Sequence, residues 1–193
     1  MQDIALFPLQ SVLLPGGLLP LRIFEPRYLD LIGRCLRHNE IFGVVLIRTG
    51  GETDSHVSTE PLGTSARIID FQSMPDGVLG VLCRGERRFR ICERSQQSDG
   101  LNRASVEWLP EIAPAPVPPQ FQPLVQLLRQ GLASLTHSQR FLEPHYEDAG
   151  WVSYRLGEML PLEPAQLQRL LQLDDPSARL QALVPLIEGT ETG

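Results

Sequence analysis

The chain has 193 residues, 42% of them hydrophobic and 21% charged, with a formal net charge of -6. That length can bury its own core without a metal or disulfide, and the acid excess argues against a general nucleic-acid binder, which needs a basic face against phosphates. All 17 basic residues are Arg, so these residues contain no Walker A lysine, no Schiff-base amine and no Ser–Lys pair, because a guanidinium does not give up its proton.

In chain order, Ile4–Leu9 is an apolar strand closed by a proline, and Val12–Phe24 is two apolar runs broken by Pro15-Gly16-Gly17. Proline at the second turn position and glycines with positive φ predict a tight turn there. Glu25-Pro26-Arg27 opens a helix, since proline suits the first helical turn. Leu29, Ile32 and Leu36 are its predicted buried face, and Asn39 is its stop. Glu25 and Arg27 are expected to cap or brace this helix, and Arg67 to hold a carboxylate such as Glu25.

Ile41–Arg48 is apolar on both faces and predicts a central strand. Thr49–His56 is polar and Gly-bearing, an exposed loop. Gly63–Phe71 and Gly77–Cys83 flank Met74-Pro75-Asp76-Gly77 and predict an antiparallel pair. Arg87–Cys92 alternates polar with apolar as a half-buried strand, with Phe89 inward, and Arg103–Leu109 ends the series. Short strands with Gly and Pro turns at this spacing indicate a small barrel or folded sheet.

The run Pro110 to Pro119 is so rich in proline that it predicts a stiff, extended connector. We therefore divide the chain into a β-rich unit over 1–112, a connector over 113–118 and a helical unit over 119–190. In the last, Phe121, Leu124, Val125, Leu128, Leu132 and Leu135 keep one helical face apolar. Further helices are predicted over Tyr146–Leu160, from Pro164, and from Asp174 with Leu180, Leu183, Val184 and Ile187 buried.

Cys35, Cys83 and Cys92 show no C-x-x-C spacing and are read as small buried hydrophobes in a reducing cytosol. His38, His56, His137 and His145 fall in no H-E-x-x-H pattern. His137, Glu143 and His145 would be a weak metal set, because Pro144 prevents one helix from aligning them. No G-x-S-x-G elbow occurs. The first residues lack a signal peptide and no apolar run approaches the ~20 residues that cross a bilayer, so a cytoplasmic protein is expected.

Several segments, in order, resemble the Lon amino-terminal domain family in its stand-alone bacterial form. They are Leu6-Phe7-Pro8-Leu9, Val12–Leu21, Ile23-Phe24-Glu25-Pro26-Arg27-Tyr28, Gly63-Thr64-Ser65-Ala66-Arg67-Ile68, Gly85–Ile91, Tyr154–Leu162 and Leu170–Leu180. The resemblance implies an α+β fold: an amino-terminal, mostly antiparallel β pseudo-barrel of the PUA-like group with one helix, then a carboxy-terminal helical bundle. It also implies a substrate-recognition role. Complete Lon proteases carry an ATPase module and a Ser–Lys peptidase domain; this chain ends at Gly193 without a Lys, so a non-catalytic protein is expected, with no catalytic residues, cofactor or metal.

The leading expectation is binding of unfolded polypeptide or a specific protein partner, with no membrane and nucleic acid disfavoured. The apolar segment containing Leu13, Leu14, Leu18, Leu19 and Phe24, beside sheet edges, could take an extended chain by strand addition. Against this stands the reading of Val12–Leu21 as core. The alternative is RNA or small-ligand binding through the barrel, since Arg84-Gly85-Glu86-Arg87-Arg88-Phe89-Arg90 sets guanidinium groups beside an aromatic. Trp108, Trp151, Tyr154 and Phe121 are read as packing residues.

Overall fold

The computed structural model describes residues 1–52, 54, 57–133 and 142–190. They fall into two compact units, Met1–Pro110 and Glu111–Gly193.

The first unit contains β1 (Gln2–Leu9), β2 (Leu18–Ile23), α1 (Pro26–His38), β3 (Phe42–Thr49), β4 (Ser58–Thr59), β5 (Leu62–Ser73), β6 (Leu79–Gln96) and β7 (Asn102–Trp108). Pairing runs β1-β7-β6-β5-β3, and β3 returns to β1, so five strands close a ring while β2 joins β6 from outside it. The β1–β3 pair is parallel, Leu6 opposite Gly43 and Leu9 opposite Leu46, and every other named pair is antiparallel. A parallel pair needs a long crossover, which β2 and α1 supply.

Period-two alternation explains why β1 from Ile4 onward and β3 as far as Ile47 are apolar on both faces. Ala5, Phe7 and Leu9 point into one cluster with Phe42, Val44 and the buried face of α1. Ile4 and Leu6 point into another with Val45, Phe89 and Val106. Both sides of these strands are therefore core.

Helix α1 begins as expected, with Pro26 in its first turn, and ends at Asn39 in the left-handed conformation, φ 53°. Its buried stripe differs from the prediction. Tyr28, Leu31, Ile32 and Cys35 face the core, whereas Leu29 and Leu36 are 40% and 41% exposed. The spacing is right but the face is rotated by one residue, because Tyr28 and Cys35 take the ends of the stripe.

The β5–β6 hairpin turns at Met74–Gly77, where Gly77 at φ 81° donates to the Met74 carbonyl at 2.9 Å. The two runs read as separate strands, 77–83 and 87–92, form one strand of 18 residues. The polar Gly85-Glu86-Arg87 stretch does not end it. Ser65 alone stands opposite Glu86 and Arg87, a β-bulge that Arg87 N–H seals by donating to Ser65 Oγ at 3.0 Å. A second bulge sits at Cys92, which has no residue opposite it between the pairs Ile91–Val106 and Glu93–Ser105. With Phe89 and Ile91 turned inward, alternation leaves Cys92 on the outer face; Cys35 and Cys83 are buried as expected, but Cys92 is exposed.

In the second unit, α2 (Gln122–Ala133), α3 (Ala149–Met159), α4 (Pro164–Gln172) and α5 (Pro176–Thr190) share one core, to which a 3-10 turn (Pro119–Phe121) contributes Phe121. Val125, Leu128, Val152, Leu156, Leu170, Leu180, Leu183 and Ile187 fill it; Leu135 lies outside the described residues. The proline-rich segment joins this unit through its backbone. Val117 N–H donates to the Glu147 carbonyl at 3.1 Å and Ala149 N–H to the Ala115 carbonyl at 2.7 Å. Helix α3 starts later than expected because Asp148 caps it, accepting from Gly150 N–H at 3.1 Å and Trp151 N–H at 3.0 Å.

Candidate functional site

The turn before β2 sets the site. Leu14 carbonyl accepts from Gly17 N–H at 2.9 Å around Pro15 and Gly16, whose φ of 72° only glycine adopts freely. Gly16 N–H donates to the Gly85 carbonyl at 2.8 Å, and Gly85 N–H to the Gly17 carbonyl at 2.9 Å. The turn is thus held on β6, and β2 runs back antiparallel to it, Leu19 opposite Cys83 and Leu21 opposite Val81. Among the described strands β2 pairs with β6 alone, which is where a proline such as Pro20 can be accommodated.

Between β2, the end of β1 and the start of α1 lies a cleft of about 400 Å³. Its apolar lining is Phe7, Leu9, Leu19, Leu21, Ile23, Phe24 and Tyr28, and its polar lining is Ser11, Arg22, Glu25 and Glu52. Phe7 and Tyr28 stack at 4.0 Å between ring centroids and 17° between planes, and burial raises the Tyr28 hydroxyl above its ordinary pKa. Phe24 is 64% exposed at the mouth. Glu52 Oε1 accepts from Gln10 N–H at 2.8 Å, fixing the loop wall to the end of β1.

Glu25 and Arg27 brace the helix entrance. Arg27 Nε donates to Glu25 Oε2 at 3.0 Å, Nη1 to the Gly100 carbonyl at 3.1 Å, and the guanidinium lies 4.8 Å from the Tyr28 ring centroid. Arg67 does not reach Glu25. It forks onto Glu86, Nε to Oε1 at 2.5 Å and Nη2 to Oε2 at 3.3 Å, and closes the end of α1 through Asn39. Glu86 is the nearer carboxylate because the bulge places it beside Ser65.

Of the segment expected to bind polypeptide, Leu13 and Leu14 are buried in the fold, so they support the turn and offer nothing to a ligand. Leu18 is half-buried in β2. Leu19 packs partly against the core and partly lines the cleft, and Phe24 stands at its mouth. Sequence reasoning missed Phe7, Leu9 and Tyr28 as cleft walls, because only the β1–β3–α1 packing brings them beside β2.

Phe89, the aromatic within the arginine cluster on β6, offers no stacking surface. Phe89 is fully buried, packed against Gly43 and Gly63, where a Cβ would come within 3 Å of its ring, and its edge meets Trp108 at 6.1 Å. Arg88 is buried too, opposite the buried Thr64, so the expected strict alternation breaks there. Among the described residues no group of three or more His, Cys, Asp or Glu could hold a metal ion, and His137 lies outside them. No described helix is long and apolar enough to cross a membrane.

A family model for the ATP-dependent protease La (LON) substrate-binding domain matches residues 3–189. A Lon protease of Cytophaga hutchinsonii is 24% identical over 185 residues, 92% of this chain and 23% of that protein. Protein cereblon of Gallus gallus is 30% identical over 103 residues, 52% of this chain and 22% of that protein. The chain thus spans under a quarter of the length of these relatives. The crystal structure of a Lon N-terminal domain protein from Xanthomonas campestris superposes with a TM-score of 0.80 at 38% identity, covering 96% of this chain and 98% of that one. The N-terminal domain of a Mycobacterium avium complex Lon protease, 17% identical over 96% of this chain with a TM-score of 0.63, shares the fold. With the match running over nearly its whole length, the chain belongs to the family of the ATP-dependent protease La (LON) substrate-binding domain.

Proposed function

We propose that this chain is a non-catalytic, cytoplasmic recognition module that binds unfolded polypeptide, or an exposed apolar segment of a protein partner, in the cleft beside β2. In this reading the ring of strands is a PUA-like pseudo-barrel that presents the cleft, and the helices of the second unit form a bundle. The observation that carries it is Phe24, 64% exposed at the mouth of an apolar cleft. Covering a large apolar side chain left in water there gains about 1.5–3 kcal/mol of burial, against a smaller cost in side-chain ordering. Beside it β2 pairs, among the described strands, with β6 alone, so an extended segment could add to the sheet while its alternate side chains enter the cleft. The family's printed description, a substrate-binding domain, supports the same reading.

The absence of lysine supports recognition without turnover by these residues. The test is fluorescence anisotropy of labelled casein, a chain largely unfolded in solution, titrated with the protein and with a Phe24→Ser variant. Saturable binding, weakened by about tenfold or more in the variant, is expected. Equal binding by both proteins would remove the cleft from the account.

A further inference from the structure

A second concavity of the first unit, about 510 Å³, opens on the other side of α1, between its carboxy-terminal end, β1 and β7. Three guanidinium groups line it, those of Arg34, Arg67 and Arg103. Two are already neutralised by the protein's own carboxylates. Arg67 forks onto Glu86, and Arg103 Nε donates to Asp3 Oδ2 at 2.8 Å. Arg34 has neither a hydrogen bond nor an ion pair with any described residue, and its Nε is shut off from solvent without an acceptor. A sheltered donor left in that state is costly, and a charged one more so.

We propose that this concavity binds a carboxylate-bearing ligand, with Arg34 as its principal donor. Because Nε is closed to solvent, the two Nη groups of Arg34 are those a ligand can reach, and together they form a fork that matches the two oxygens of a carboxylate. The rim selects for a single negative charge. Asp3 is spent on Arg103, but Glu40 also lines the concavity and is not paired with Arg34. Its charge would repel a phosphate or polyphosphate more strongly than a lone carboxylate. This site does not overlap the β2 cleft, and it stands or falls separately from it.

The carboxylate can come from a small organic acid or from the C-terminus of a polypeptide, and calorimetric titration with four probes separates these. They are N-acetylglycine, an N-acetylated apolar pentapeptide with a free C-terminus, the same peptide amidated, and inorganic phosphate. We expect the free-acid peptide to bind about tenfold or more tightly than its amide, and both acids to bind more tightly than phosphate. N-acetylglycine binding as tightly as the free-acid peptide identifies a small-acid site; the peptide binding more tightly identifies a C-terminus site. An Arg34→Gln variant should lose about 10- to 100-fold in affinity for the preferred acid, with Arg34→Lys between the two. Equal binding of free acid and amide, which is read on the unaltered protein, overturns the proposal. So does tighter binding of phosphate, or a folded Arg34→Gln variant with unchanged affinity.

Discussion

Gly85 lies so close to Leu14 that a Cβ on it would stand 2.3 Å from the Leu14 carbonyl oxygen and 3.0 Å from Leu13 Cγ. This closeness lets the Pro15-Gly16 turn exchange hydrogen bonds with β6 and sets where β2, and therefore the cleft, begins. A Gly85→Ala substitution should push the turn off β6 and destabilise the first unit by about 1–3 kcal/mol or more. Urea unfolding measures this; a variant as stable as the parent would show that the turn can move without cost.

Asp148 joins two segments of the second unit. Besides capping α3 it accepts from Ala115 N–H at 3.0 Å, so one carboxylate satisfies three backbone donors. Asp148→Ala should cost about 2 kcal/mol and speed amide exchange at Ala115, Gly150 and Trp151 together. Faster exchange at Gly150 and Trp151 alone would mean that the proline-rich segment is held by other contacts.

Much of the fold can be read from residues whose chemistry is local. Asn39 ends α1, Gly77 turns the β5–β6 hairpin, and the apolar runs of β1 and β3 mark strands buried on both faces. What is not legible depends on partners distant in sequence. The polar Arg84-Gly85-Glu86 stretch looks like a break between strands, and only Ser65 across the ladder shows that it is a bulge. The α1 face is ambiguous because Leu29 and Leu36 compete with Tyr28 and Cys35 for the same spacing. In the cleft, Phe24 and Leu19 were visible as apolar residues near a turn. Leu13 and Leu14 looked the same, and their burial follows from docking on Gly85.

Burial sets the reactivity of the three thiols. It raises Cys35 from the ordinary 9.0 to about 11, with Glu40 adding to the effect, and Cys83 to about 12, with Cys35 adding to it. At about pH 8 iodoacetamide should therefore label Cys92 quickly and the other two only after unfolding. The sign of the linkage follows. The fold favours the protonated thiols, so their contribution to stability is intact below 9.0 and is lost as pH climbs towards about 11 and 12. Peptide mapping of the labelled protein checks the first statement; rapid native labelling of Cys83 would contradict it.

Arg179 is fully buried in the second unit, its Nη1 donating to the Leu173 carbonyl at 2.7 Å, its Nε to Ser153 Oγ at 3.0 Å, and its guanidinium 4.0 Å from the Tyr154 ring centroid. These contacts fix the start of α5 against α3 and the end of α4. An ammonium cannot make the fork and the stack together, so Arg179→Lys should lose about 2–3 kcal/mol in thermal or urea unfolding. A loss within about 0.5 kcal/mol would show that charge alone suffices there.

Site-specific photo-crosslinking tests the central claim most directly. A benzophenone side chain is introduced at position 24, at the mouth of the cleft, or at position 107, exposed on β7, and each protein is irradiated with labelled casein. The account predicts adducts from position 24 that unlabelled casein suppresses, and few from position 107. Equal yields from the two positions, or none from position 24, would contradict it.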